Sequence, residues 1–77
     1  MQDYEEVFRA PIRKGSTMSI RYAPEEVKPW GAVYRGCGHY FRSLEAVLAY
    51  CYGRGWIRAG DLDALERDLC RTHEGGE

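Results

Sequence analysis

The sequence has few cysteines and no spacing typical of a disulfide framework. Its 77 residues include three cysteines, an odd number, at positions 37, 51 and 70. This usage suits free thiols in a reducing compartment, so we expect a cytoplasmic protein. No apolar run is long enough to cross a bilayer, and the N-terminal residues are acidic where a signal peptide would be basic and then apolar. We therefore expect no membrane partner.

An excess of charge of one sign is also missing. Eleven basic residues face twelve acidic ones, which gives a formal net charge of -1. The total charge therefore predicts no general electrostatic affinity for nucleic acid. With 44% hydrophobic and 30% charged residues the composition is that of a folded globular chain. The length suits a single domain over residues 1–77.

Motifs that carry catalysis are missing as well. The glycines lie mostly in predicted loops, without the spacing of a phosphate-binding loop or of a dinucleotide fingerprint. The pattern indicates neither a nucleophile with its base nor a pair of carboxylates in a cleft. We expect a protein that is not an enzyme and that has no cofactor.

Four residues are candidate zinc ligands, namely Cys37, His39, Cys70 and His73. A tetrahedral zinc site needs four such side chains, but the spacing of the first pair is tighter than in the usual zinc knuckle. The sequence favours a different interpretation, in which Cys51 and Cys70 are small hydrophobic core residues and His39 is a partly exposed strand residue. We expect no metal site.

Alternating apolar and polar residues predict four short strands. The residues that share a face are Phe8, Ala10 and Ile12 in the first strand, with Val7 and Arg9 opposite; Met18, Ile20 and Tyr22 in the second; and Trp30, Ala32 and Tyr34 in the third. Which face of the third strand points inward is left open by the pattern. Pro11 makes the first strand an edge strand or ends it. A turn over residues 36–38 leads into a fourth strand over residues 39–41.

A helix is predicted from Ser43, whose hydroxyl is a natural N-cap, to Gly53 or Gly55. Its apolar stripe has helical spacing and consists of Leu44, Val47, Leu48 and Cys51. A second helix is predicted with Asp61 as N-cap and with an apolar stripe of Leu62, Leu65 and Leu69. Between the helices, Trp56 and Ile57 are expected to fold back over the end of the first helix. Strands followed by helices predict an α+β fold, with a four-stranded antiparallel sheet and both helices on one face.

Such a sheet leaves its other face open to solvent. Basic residues lie in or beside the strands and alternate with aromatic ones, as in Arg9, Arg13, Lys14, Arg21, Trp30, Tyr34, Arg35, Tyr40 and Arg42. Single-stranded nucleic-acid binders use such a face, although small domains often carry solvated arginines there. Exposed aromatics beside charged residues are also the usual anchors of a protein interface. Some of the tyrosines and tryptophans of the strands must lie outside the core.

Two segments resemble a known family. The chain is similar in four features to the small phage-encoded anti-CRISPR proteins that inhibit type I-F Cascade. These features are the run Phe41-x-Ser43-x-Glu45, the pair Tyr52-Gly53 at the helix end, a glycine-containing loop and a short charged terminal helix. Met18-x-Ile20 in the second predicted strand also matches. The resemblance covers residues 18–20 in patches and residues 41–71 more evenly.

The resemblance implies a four-stranded antiparallel sheet with two helices on one side. It also implies a non-enzymatic inhibitor that binds the repeated backbone subunit of the type I effector complex and prevents target DNA from pairing with the guide RNA. The family binds through tyrosines of the first two strands and an acid of the third. The corresponding residues here are Tyr4 or Phe8, then Tyr22, with Tyr34 and Arg35 where the acid would stand. Tyr22 stands one position early, which would turn it to the other face.

These considerations give two functional hypotheses. The first is an inhibitor that binds a type I CRISPR effector complex through Tyr4, Phe8, Tyr22, Tyr34 and Arg35, with no direct binding of nucleic acid. The alternative is a small single-stranded nucleic-acid-binding domain that uses an arginine and aromatic sheet face.

Overall fold

The computed structural model describes residues 4–13 and 15–71. It contains β1 (Glu5–Arg13), β2 (Ser16–Tyr22), β3 (Trp30–Tyr34), β4 (Cys37–Phe41), α1 (Leu44–Gly53) and α2 (Ala59–Leu69). The strands form one antiparallel sheet in the order β1-β2-β3-β4. Each strand therefore pairs with its neighbour in the chain, and the predicted α+β fold is confirmed.

The register of the sheet decides which residues share a face. Ile20 lies opposite Ala32, and Ala32 lies opposite His39 on β4. Trp30 and Ala32 are fully buried, which settles the inward face of β3. The residues of the sheet that belong to the core or pack against it are Val7, Phe8, Ala10, Ile12, Met18, Ile20, Tyr22, Trp30, Ala32, Tyr34 and Phe41.

Two details of the sheet differ from the sequence prediction. An irregularity between Glu6 and Phe8 breaks the alternation, and Val7 packs against the core instead of facing the opposite side with Arg9. The turn between β3 and β4 consists of Arg35 and Gly36, so β4 begins at Cys37, earlier than predicted. Both turn residues have positive φ, 53° and 81°, as a type I′ hairpin turn requires.

Helix α1 supplies the centre of the core. Its buried residues are Leu44, Val47, Leu48 and Cys51, the predicted apolar stripe. After the helix, the amide of Trp56 donates a hydrogen bond to the carbonyl of Cys51 at 2.9 Å, and Ile57 is buried. The predicted folding back of this loop over the helix end is thereby confirmed.

The N-cap predicted for α2 is wrong. The helix begins at Ala59, its N-cap is Arg58, and that side chain makes no capping hydrogen bond. Asp61 lies inside the first turn, where a carboxylate complements the helix dipole but cannot cap the helix. Leu69 is buried, whereas Leu62 and Leu65 are only half-buried.

The N-cap of α1 gives a first prediction. Ala46 donates its amide hydrogen to Ser43 Oγ at 3.1 Å, so Ser43→Ala removes the acceptor of that hydrogen bond. We expect a loss of about 1 kcal/mol of stability. In a domain of this size that lowers the melting temperature by about 4–8 °C. Ser43→Asp keeps an acceptor and should melt near the wild-type temperature in circular dichroism. An unchanged melting temperature in Ser43→Ala would contradict the capping role.

Candidate functional site: the open face of the sheet

The face of the sheet opposite the helices is not covered by any element of the described chain. Alternation places Thr17, Ser19 and Arg21 of β2 on this open face, opposite in orientation to the buried Met18 and Ile20. The same rule adds Glu6 and Arg9 of β1, Gly31 and Val33 of β3, and Gly38 and Tyr40 of β4.

Tyr40 lies flat across the open face, above two glycines. A Cβ atom built on Gly31 would stand 2.8 Å from Tyr40 Cδ1, and one built on Gly38 would stand 2.8 Å from Tyr40 Oη. Real Cβ atoms do not approach other atoms so closely, so only glycine at these positions lets the ring rest on the backbone. Tyr40 remains 43% exposed. It is therefore held in place by the sheet while keeping surface for a partner.

Tyr4 completes an aromatic pair with Tyr40. The two ring centroids lie 5.0 Å apart, with the planes tilted by 47°. The Tyr4 hydroxyl donates a hydrogen bond to the carbonyl of Lys28 at 2.7 Å, which fixes the ring across the loop between β2 and β3. Desolvation, together with the Glu26 carboxylate, raises the pKa of Tyr4, so the phenol stays a neutral donor at physiological pH. The exposed Val27 lines the same depression as this pair.

Beyond the tyrosine pair the open face is basic. A shallow cavity of about 340 Å³ lies there. Its lining is mostly charged or hydroxyl-bearing and consists of Arg9, Arg21, Arg35, Glu6, Thr17 and Ser19, together with Val33 and Gly36. Arg9 Nε donates to Glu6 Oε2 at 2.6 Å, and this hydrogen bond lowers the pKa of Glu6. Arg21 Nε donates to Ser19 Oγ at 3.4 Å. The open face thus joins an aromatic end to a basic end.

The structure does not bring the five predicted binding residues together. Tyr4 lies on the open face, and Arg35 lies in the turn at its border. The other three lie on the helix side and are half-buried. Tyr22 packs on Trp30 with ring centroids 4.4 Å apart, Tyr34 packs on Trp56 at 4.9 Å, and Phe8 contacts the core.

Three residues of the open face, Tyr40, Arg9 and Arg21, are outside the five residues predicted to bind an effector complex, although they belong to the basic and aromatic residues of the nucleic-acid-binding alternative. One signal in the sequence could have found Tyr40. Glycines inside predicted strands often mark a close approach of another group. Gly31 is such a glycine in the third predicted strand, and it lies opposite Tyr40 in the sheet. Gly38 falls in the predicted turn, and only the observed extent of β4 places it on the same face as Tyr40. The arginines have no such glycine beside them, and the signal for them is the alternation of basic and aromatic residues along the strands.

The residues weighed as zinc ligands are spread over the chain. Cys37 and His39 lie on β4, Cys70 follows α2, and His73 lies outside the described residues. Within residues 4–13 and 15–71, no group of three or more histidine, cysteine, aspartate or glutamate side chains is placed to hold a metal ion. Burial raises the pKa of Cys51 to about 12, so its thiol stays protonated at neutral pH.

Comparison with known proteins adds no relative. No family model matches the chain, and neither a curated protein nor a solved structure matches it significantly. Neither helix within the described ranges has the length and apolar character needed to cross a membrane.

Proposed function

We propose that this protein is a non-enzymatic phage inhibitor that binds a type I CRISPR effector complex in the bacterial cytoplasm through the open face of its sheet. The observation that carries the proposal is the Tyr4–Tyr40 pair, held on an uncovered sheet face beside arginines. The bound subunit would be the repeated backbone subunit of the complex. Occupying that subunit would prevent target DNA from pairing with the guide RNA.

The physical support comes from how protein interfaces obtain their energy. A few aromatic and arginine side chains near the centre of an interface dominate its affinity, especially where they are held rigidly before binding. Tyr40 is held by the backbone beneath it, and Tyr4 is held by its hydrogen bond to Lys28. Little conformational freedom of either ring would be lost when a partner covers them. The resemblance described above supplies the choice of a CRISPR effector.

The open face also favours a second candidate, a single-stranded nucleic-acid-binding domain. A tyrosine ring lying flat on a sheet, with arginines along the same face, can stack a base and pair with its phosphate. The ion pair between Arg9 and Glu6 weakens this alternative, because the carboxylate repels phosphate and neutralises one arginine. Binding of a single-stranded oligonucleotide that falls steeply as salt rises would select it.

Tyr4→Ala gives the second prediction. We expect it to weaken inhibition of target-DNA capture by a purified type I effector complex by about thirtyfold, the effect of losing roughly 2 kcal/mol at an interface anchor. The fold should persist, because Tyr4 precedes β1 and lies outside the buried core. The measurement is capture of labelled DNA by the complex over a titration of the inhibitor.

Tyr52→Ala is the matched control. Tyr52 is also an exposed tyrosine, at 49%, but it lies on α1 and hence on the helix side of the sheet. The Tyr52→Ala variant should inhibit target-DNA capture as strongly as the wild-type protein does. If the wild-type protein leaves DNA capture unchanged across several type I complexes, the proposed function is wrong. If it inhibits and Tyr4→Ala inhibits equally well, the open face is not the binding surface.

A further inference from the structure

Three arginines from separate parts of the chain meet at one end of the molecule. Arg13 ends β1, Arg35 lies in the turn between β3 and β4, and Arg54 is the C-cap of α1. In an antiparallel meander the first and third turns lie at the same end of the sheet. Helix α1 runs back to that end after β4. The topology thus creates a basic end of the fold, distinct from the Tyr4–Tyr40 pair.

Arg13, Arg35 and Arg54 line a common cavity of about 450 Å³, and no acidic residue of the described part of the chain lines it. Within the described part of the chain none of the three forms an ion pair, whereas Arg9, Arg58 and Arg71 each pair with a carboxylate. Like charges gathered without a counter-charge repel one another. A bound anion would relieve that repulsion, and its oxygens match the forked donors of arginine.

One wall of this cavity is aromatic. The Tyr34 and Trp56 rings lie 4.9 Å apart, and Arg54 Cζ lies 5.6 Å from the centroid of the Trp56 ring. Trp56 is held by its amide hydrogen bond to Cys51 and by edge contact with Tyr50 at 5.7 Å. A fixed aromatic wall beside several arginines suits a planar base that carries a phosphate.

The backbone of Arg35 provides a separate observation. Its φ of 53° is in the left-handed region, which costs a residue other than glycine, asparagine or aspartate roughly 1 kcal/mol. The first position of a type I′ turn favours asparagine or glycine for this reason. Arg35 therefore has a strained backbone and also lines the cavity. Backbone strain of this size is common at binding sites.

We propose that Arg13, Arg35 and Arg54, with the Tyr34–Trp56 pair, form a binding site for a phosphorylated nucleotide, either free or within a single strand of nucleic acid. The arginines bind the phosphate oxygens, and the base lies against the aromatic wall. The site lies at the turn end of the sheet and does not depend on the Tyr4–Tyr40 pair or on the function proposed for it.

Arg35→Asn tests this site by separating stability from binding. Asparagine tolerates the left-handed backbone, so we expect the melting temperature to stay the same or rise. We expect affinity for the ligand to fall roughly tenfold, because a charge-assisted contact to phosphate is lost. Arg42→Ala is the control: it removes the same charge from an exposed position beyond β4, at the other end of the sheet.

The probes are adenosine triphosphate, inorganic phosphate and a short oligothymidylate, each titrated by calorimetry into the full chain. The proposal expects binding of the nucleotide or the oligonucleotide that is weakened in Arg35→Asn and in Arg54→Ala but retained in Arg42→Ala. Nucleotide binding identifies a free ligand as the source, and binding of the oligonucleotide alone identifies a strand. The proposal is overturned if neither the nucleotide nor the oligonucleotide binds, whether or not inorganic phosphate does. An equal loss in Arg42→Ala also overturns it, since the effect is then one of total charge.

Discussion

Replacing Leu48 with aspartate is expected to abolish the cooperative thermal transition of the protein. Leu48 is 3% exposed and lies in the middle of the apolar stripe that α1 packs against the sheet. A carboxylate there would be buried without a partner or would have to take up a proton, at a cost of several kcal/mol. A 77-residue domain has only about 4–12 kcal/mol of stability in total. The measurement is a thermal melt followed by far-ultraviolet circular dichroism.

Ala49→Asp is the matched control for this variant. It introduces the same carboxylate one residue later, on the exposed side of the same helix. We expect a cooperative melt with a melting temperature only a few degrees lower, because the charge stays in water and only helix propensity and the dipole change. A native spectrum and a cooperative transition in Leu48→Asp would show that α1 does not form the centre of the core.

Trp30→Ala is expected to cost about 3–5 kcal/mol, the range for truncating a large buried aromatic side chain. Trp30 is fully buried and is the largest such side chain in the described chain. Its ring packs with that of Tyr22, so the deletion leaves a cavity between the sheet and the helices. In urea unfolding, the midpoint concentration should fall markedly, while the dependence of the unfolding free energy on urea concentration should stay the same.

Trp56→Ala provides the comparison. Trp56 is half-buried and lies at the edge of the core, so its removal should lower stability by less than Trp30→Ala does. Equal losses in the two variants would contradict the central position of Trp30.

Much of the fold could be predicted because its signals are local. Ser43 followed by an apolar stripe fixes α1, and strict alternation through Met18 and Ile20 fixes the buried face of β2. The N-cap of α2 was mispredicted since Asp61 looks like a capping residue, yet the chain enters the helix two residues earlier, at Ala59. The β3–β4 turn was misplaced because an arginine in the left-handed region is not a usual turn signal.

The candidate site was harder to predict because it depends on pairing across the sheet. Tyr4 stands before the first strand and Tyr40 in the fourth, and only the full register brings their rings within 5.0 Å. Tyr22 and Tyr34 share faces with buried residues, and their ring contacts make them part of the packed helix side. Alanine at Tyr34 would therefore remove packing against Trp56 as well as a candidate binding residue.

The order of the strands has a consequence for how the chain acquires its structure. Every pairing in the sheet joins neighbours in the chain, so each hairpin forms by closing a short loop. Such local contacts are typical of domains that fold rapidly. During synthesis from the N-terminus the sheet can assemble strand by strand, and no strand waits for a partner made much later. Helix α1 then follows β4 directly and covers the apolar face, which limits the time that this surface is exposed to other chains.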